Sequence, residues 1–145
     1  MGLWTWGSSI PLFAALGDTS VTVQADREKI AASLTVVEAG SFTVHEMKSP
    51  NGTTVREYVS RSHGLVFAVT WRGPFVPDMK QLLGNYFSQY RQAVRAQHEN
   101  QVGIRPLRIS SPRLVVETAG HMRAFSGRAY DPALMPSGVS VDDIR

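Results

Sequence analysis

Residues 42–72 read FTVHEMKSPNGTTVREYVSRSHGLVFAVTWR, and this stretch decides the fold. Three runs, 42–48, 53–60 and 65–72, are rich in β-branched and aromatic residues. They are separated by Ser49-Pro50-Asn51-Gly52 and Arg61-Ser62-His63-Gly64, so two hairpins follow in series and make a meander. Pro50 pre-sets the first turn position, and Gly52 can take the left-handed conformation of a type I turn with a G1 bulge. Setting Ser49 opposite Thr53 brings Glu46 to Arg56, Val44 to Tyr58 and His45 to Glu57, each charge meeting a suitable partner. The same rule run through Gly64 sets Val59 opposite Phe67, Glu57 opposite Val69 and Val55 opposite Trp71. One face then collects Met47, Val55, Val59, Leu65, Phe67, Val69 and Trp71. The other holds Val44, Glu46, Thr54, Arg56, Tyr58, Val66, Ala68, Thr70 and Arg72, half-polar and expected to be partly solvated.

Downstream, Pro77-Asp78 opens a helix expected over 77–96, because Met79, Leu82, Leu83, Tyr86, Phe87, Tyr90 and Val94 follow the helical period. Upstream, Asp18-Thr19-Ser20 starts a shorter helix over 21–33, with Val23, Arg27, Ile30 and Leu34 at three- and four-residue spacing. Two more strands are expected over 113–118 and 122–130, joined at Gly120, and the turn-rich tail from Pro132 packs irregularly on the domain. The expected architecture is α+β: an antiparallel meander of about five strands, the long amphipathic helix on its apolar face and the shorter N-terminal helix beside it.

The chain has 145 residues, 43% hydrophobic and 19% charged, which suits one domain with a real core over 15–145. No apolar run reaches the length of a membrane span. With no cysteine, disulfide scaffolds, zinc ribbons and thiol chemistry are excluded together. Residues 1–14 differ from the rest: no Lys or Arg precedes Arg27, and Ile10-Pro11-Leu12-Phe13-Ala14-Ala15 resembles the end of a secretory leader. The basic start is missing and Gly7-Ser8-Ser9 interrupts the apolar core, so the leader is incomplete. The alternative is a disordered terminus whose tryptophans dock on the domain. Trp6 stands where a myristoylation signal needs Ser or Thr.

No catalytic signature is present. His45-Glu46 lacks the second histidine of a zinc-protease motif, since position 49 is Ser49, and the four histidines have no metal-ligand spacing. Nucleophile elbows, P-loops and dinucleotide fingerprints are absent, so nothing calls for a cofactor or a metal. One constellation has chemistry in it: His45 beside Glu57, with Trp71 on the same face, is how an imidazole base is held by a carboxylate. A cross-strand pair satisfying two half-buried polar groups is the plainer reading. A second candidate is the basic set Lys80, Arg91, Arg95, Arg105 and Arg108, within a span whose only acid is Glu99. It reads either as an anion-binding surface or as a solvated helix face. Tyr86, Phe87 and Tyr90 read as core, and Asn51-Gly52-Thr53 as turn chemistry rather than a glycosylation acceptor.

Several strings, namely Ala15-Leu16-Gly17, TVHE (43–46), GTTVREYVS (52–60), GLVFAVTWRGP (64–74), PDMKQLLGNYF (77–87) and GHMRAFSGRAYDP (120–132), resemble a bacterial family of uncharacterised proteins, the domain of unknown function 2844. The resemblance runs from about Ala15 onward. It implies a small exported protein with a leader ending just before Ala-Leu-Gly, and brings no activity and no functional residues. The expectation is therefore a non-catalytic binding or structural module of the bacterial envelope, periplasmic or secreted, with an unidentified protein or envelope component as partner. Two other readings stand beside it: a small enzyme or ligand carrier with a site between helix and sheet near His45 and Glu57, and a cytoplasmic binder of an anionic polymer through the late arginines.

Overall fold

A computed structural model describes residues 15–19, 34–100 and 106–145. The leader-like segment 1–14 and the helix expected over 21–33 lie outside the described residues, as does Arg105. Among the described residues seven strands form one antiparallel sheet: β1 (Leu34–Ala39), β2 (Phe42–Lys48), β3 (Thr54–Ser60), β4 (Val66–Gly73), β5 (Arg108–Ser110), β6 (Val115–His121) and β7 (Ala124–Tyr130). Their spatial order is β1-β2-β3-β4-β7-β6-β5. Helices α1 (Met79–Leu83) and α2 (Phe87–Asn100), joined by a 3-10 turn over Gly84–Tyr86, lie between β4 and β5 in the chain.

The meander forms in the register that its turns dictate, with Glu46 opposite Arg56, His45 opposite Glu57, and Val55 opposite Trp71. It departs from expectation at one place. Tyr58 pairs with Ala68 but Val59 pairs with Val66, so Phe67 is the extra residue of a β-bulge. An inserted residue reverses the alternation beyond it. Val66 therefore joins the helix-side core, and Phe67, expected there, packs on the opposite face against Phe42 and Tyr58.

Among the described residues the sheet has seven strands, not about five. The extra two are β1, whose first residue the helical period had claimed, and β5, whose three residues are too short to establish a period. The β6–β7 turn falls at Met122-Arg123 rather than at Gly120, with Arg123 left-handed at φ 62°. The long helix is not continuous over 77–96: Asp78 caps α1 by accepting from the Lys80 and Gln81 N–H groups, and the helix breaks at Gly84. A Cβ there would come within 2.6 Å of Ala15.

Both sheet faces are covered. On one, Leu16, Leu82 and Leu83 close over Val55, Val59, Val69, Trp71, Val116 and Ala129, with Phe87, Tyr90 and Val94 of α2 packed on the cluster. On the other, the tail supplies Ile144, Leu134, Met135 and Val139 to a second cluster with Phe42, Tyr58, Phe67, Val115 and Tyr130. The face expected to be partly solvated is thus apolar where the tail crosses it and polar beyond.

Candidate functional site

Side chains two apart on a strand share a face, so the paired registers generate transverse rows across the sheet. On the tail side the first row is apolar: Val44, Tyr58, Ala68, Tyr130, Val115. The tail lies over it. The second row is charged and nearly symmetric about β4: Glu46, Arg56, Thr70, Arg128, Glu117, then Arg108 at the edge. The third is polar: Lys48, Thr54, Arg72, Ser126, Ala119.

The charged row forms the boundary between covered and open sheet. Arg56 Nε donates to Glu46 at 2.7 Å and its Nη1 to the Arg145 main-chain oxygen at 2.8 Å. Arg128 Nε donates to Glu117 at 2.6 Å and its Nη1 to the Val141 carbonyl at 3.1 Å. Each arginine thus ties a glutamate of its neighbouring strand to the tail. The hydrogen bond to Glu46 outweighs partial burial and raises the Arg56 pKa above its usual value.

Past the tail opens a groove of about 800 Å³. Thr70, buried, forms its floor between Arg56 and Arg128, and Arg72 stands one row further along the same strand. The lining carries five basic side chains against two acidic ones, Glu46 and Glu117. The exposed Arg72 makes no ion pair among the described residues. Neighbours on one face lie about 5 Å apart across strands and 7–8 Å on the diagonal. Arg56, Arg72 and Arg128 therefore surround one hydroxyl, and the outer glutamates compensate two of the three charges. An arrangement of this kind can receive one anionic group through charge-assisted hydrogen bonds.

At the far end of β7 the carboxylate of Asp131, fully buried, accepts from Arg113 Nε at 2.9 Å and Nη2 at 2.8 Å, from the Ala133 N–H at 2.9 Å and from the Tyr86 hydroxyl. Burial pushes this carboxyl up, but the hydrogen bonds from Arg113, Tyr86 and Ala133 outweigh it and hold it below the ordinary value. Burial, then the bond to Asp131, raises the Tyr86 phenol. This node joins β7, the 3-10 turn and the β5–β6 loop, so its role is cohesion.

His45 and Glu57 come together as the register requires, 6% and 0% exposed, on the helix side of the sheet. Trp71 packs in the same core. The groove is on the opposite face, and neither His45 nor Glu57 lines it, although Trp71 borders it. Lys80, Arg91 and Arg95 are exposed on the helices, whereas Arg108 stands on the groove side, 3.5 Å from Glu117. The basic set is therefore divided between two layers. Among the described residues no three His, Asp or Glu side chains gather as metal ligands, and no helix is long and apolar enough to cross a membrane.

The residues that sequence reasoning missed are Thr70, Arg72, Glu117 and Arg128. Two of them already shared a face with Arg56 in the meander register. The other two needed the β4–β7 pairing, which no local signal announces. No curated protein and no solved structure matches the chain. A family model described as "Protein of unknown function (DUF2844)" matches residues 12–144, spanning both cores, the charged row and the tail. The chain belongs to the DUF2844 family.

Proposed function

We propose that the protein is an exported, non-catalytic binding module of the bacterial envelope, and that its groove holds a polar ligand through one anionic group over Thr70. The observation that carries the reading is the charged row, in which Arg56 and Arg128 flank Thr70 and are each compensated by a glutamate, while Arg72 is not. Arg72 is exposed and carries no ion pair among the described residues, so its charge is open to an incoming anion while those of Arg56 and Arg128 are held by the glutamates. Export is supported by the leader-like residues 1–14.

Isothermal titration with inorganic phosphate, glutarate and a short oligouronate tests the seat. Saturable binding that weakens with salt and falls about tenfold in Arg72→Ala, at unchanged thermal stability, is expected. Absence of saturable binding, or indifference to Arg72→Ala, refutes it. If a polyanion such as heparin is instead retained through Arg91 and Arg95, lost in the double alanine variant, the partner sits on the helix layer. Export is read separately from the N-terminal peptide of the native protein in fractionated cells: a start near Ala15 in the envelope fraction is expected, and an intact Met1 or Gly2 terminus in the cytosol overturns it.

A further inference from the structure

β1 is an edge of the sheet and, among the described residues, pairs only with β2. Its outer backbone N–H and C=O groups face away from the sheet, which is a template for another strand. Natural edges are blunted by shortness, by lysine, by proline or by a bulge. The opposite edge, β5, follows this rule with three residues. β1 does not: LTVVEA is six residues long and contains neither lysine nor proline, and its pairing with β2 runs without a register shift. Its one charge, Glu38, is taken up by Arg61 at 2.5 Å. Val36 and Val37 are 39% and 54% exposed. Being consecutive, they project to opposite faces, so neither the helix layer nor the tail covers the strand.

We propose that β1 pairs antiparallel with β1 of a second copy about a twofold axis normal to the sheet, giving one continuous fourteen-stranded sheet. The symmetry restricts the register. Residues directly opposite share a face, and such an axis keeps both helix layers on the same side, so residues of like parity must meet and the central residue faces its own copy. Centring on Val37, the more exposed valine, sets Val37 against Val37 of the second copy, Thr35 against Ala39, and Val36 against Glu38. Apolar surface then meets apolar surface on the tail side, and the neutralised Glu38 raises no like-charge barrier. No β1 residue lines the groove, which lies on the inner strands.

The chain has no cysteine, so a single introduced one reports the contact without background. In Val37→Cys the two sulfurs fall across directly paired strands, within disulfide reach, and mild oxidation is expected to yield a covalent dimer about tenfold faster than in Thr35→Cys. In that control the two Thr35 positions sit four residues out of register, about 13 Å apart. Sedimentation velocity of the wild-type chain at roughly 0.2 mM should show a dimer, and Val37→Lys a monomer with unchanged circular dichroism. A wild-type monomer at that concentration, equal crosslinking of the two cysteine variants, or a dimer that survives Val37→Lys overturns the proposal.

Discussion

Asp131→Asn isolates the charge of the buried node while keeping its shape. With its oxygen on the Ala133 side the asparagine still accepts from the Ala133 N–H, and its NH2 group then donates to the Tyr86 hydroxyl, which had been the donor; the paired donation from Arg113 to two carboxylate oxygens is lost. Arg113 is 58% exposed and returns to water, so little of the effect comes from its side. Hydrogen bonds to a charged group contribute about 1.5–3 kcal/mol. For a domain of this size each kcal/mol moves Tm by about 4 °C, so a fall of roughly 6–12 °C at pH 7 is expected by calorimetry. The pH dependence is more telling. The folded-state pKa of Asp131 is depressed below the ordinary aspartate value of 3.8, so its contribution is fully present above that value and is lost as pH falls through the lower folded value. Asparagine does not titrate. The gap between wild type and variant should therefore be constant from pH 7 to about 5 and narrow progressively as the pH falls below 3.8. A gap that is absent at pH 7, or that persists unchanged at the lowest pH at which the protein folds, refutes this account of the node.

Three other substitutions probe the two layers. Gly127→Ala should cost about 2–4 kcal/mol, measured by urea unfolding, because its Cβ would lie 2.3 Å from the Trp71 indole and 2.9 Å from the Glu117 carbonyl, and neither neighbour is free to give way. Ile144→Asp buries a carboxylate among Tyr58, Phe67 and Tyr130 and should release the tail, read as increased binding of a hydrophobic dye with the helix signal retained. Arg128→Met removes both the Glu117 bond and the tail carbonyl contacts; faster amide exchange over 141–145, with exchange in α2 unchanged, is the expected signature.

The candidate site divides along the same line as the fold. Arg56, Thr70 and Arg72 were already on one face from the turn chemistry of Ser49-Pro50-Asn51-Gly52 and the opposition of Glu46 to Arg56, which together admit one register. His45 and Glu57 followed from the same register and do face each other. Arg128 and Glu117 were not legible as partners of that row. The β6–β7 turn uses Arg123 at positive φ instead of Gly120, three places before it, which shifts the hairpin. Asp131 gave no signal either, since its donors Tyr86 and Arg113 lie 45 and 18 residues away in the chain.

From the sequence alone came the central meander and its register, the apolar stripe from Met79 to Val94, and the likeness to its family. All rest on local physics: turn residues with defined φ, charges facing opposite charges, a period of 3.6. The tertiary structure alone decided which face Phe67 serves, how many strands close the sheet, and that the tail seals one face and leaves a charged groove beside it. Those outcomes depend on one inserted residue at a bulge, on a three-residue edge strand, and on the β4–β7 pairing of Ala68–Gly73 with Phe125–Tyr130. Contacts over such separations are selected by packing and by hydrogen-bond closure, for which no short window of residues carries a pattern.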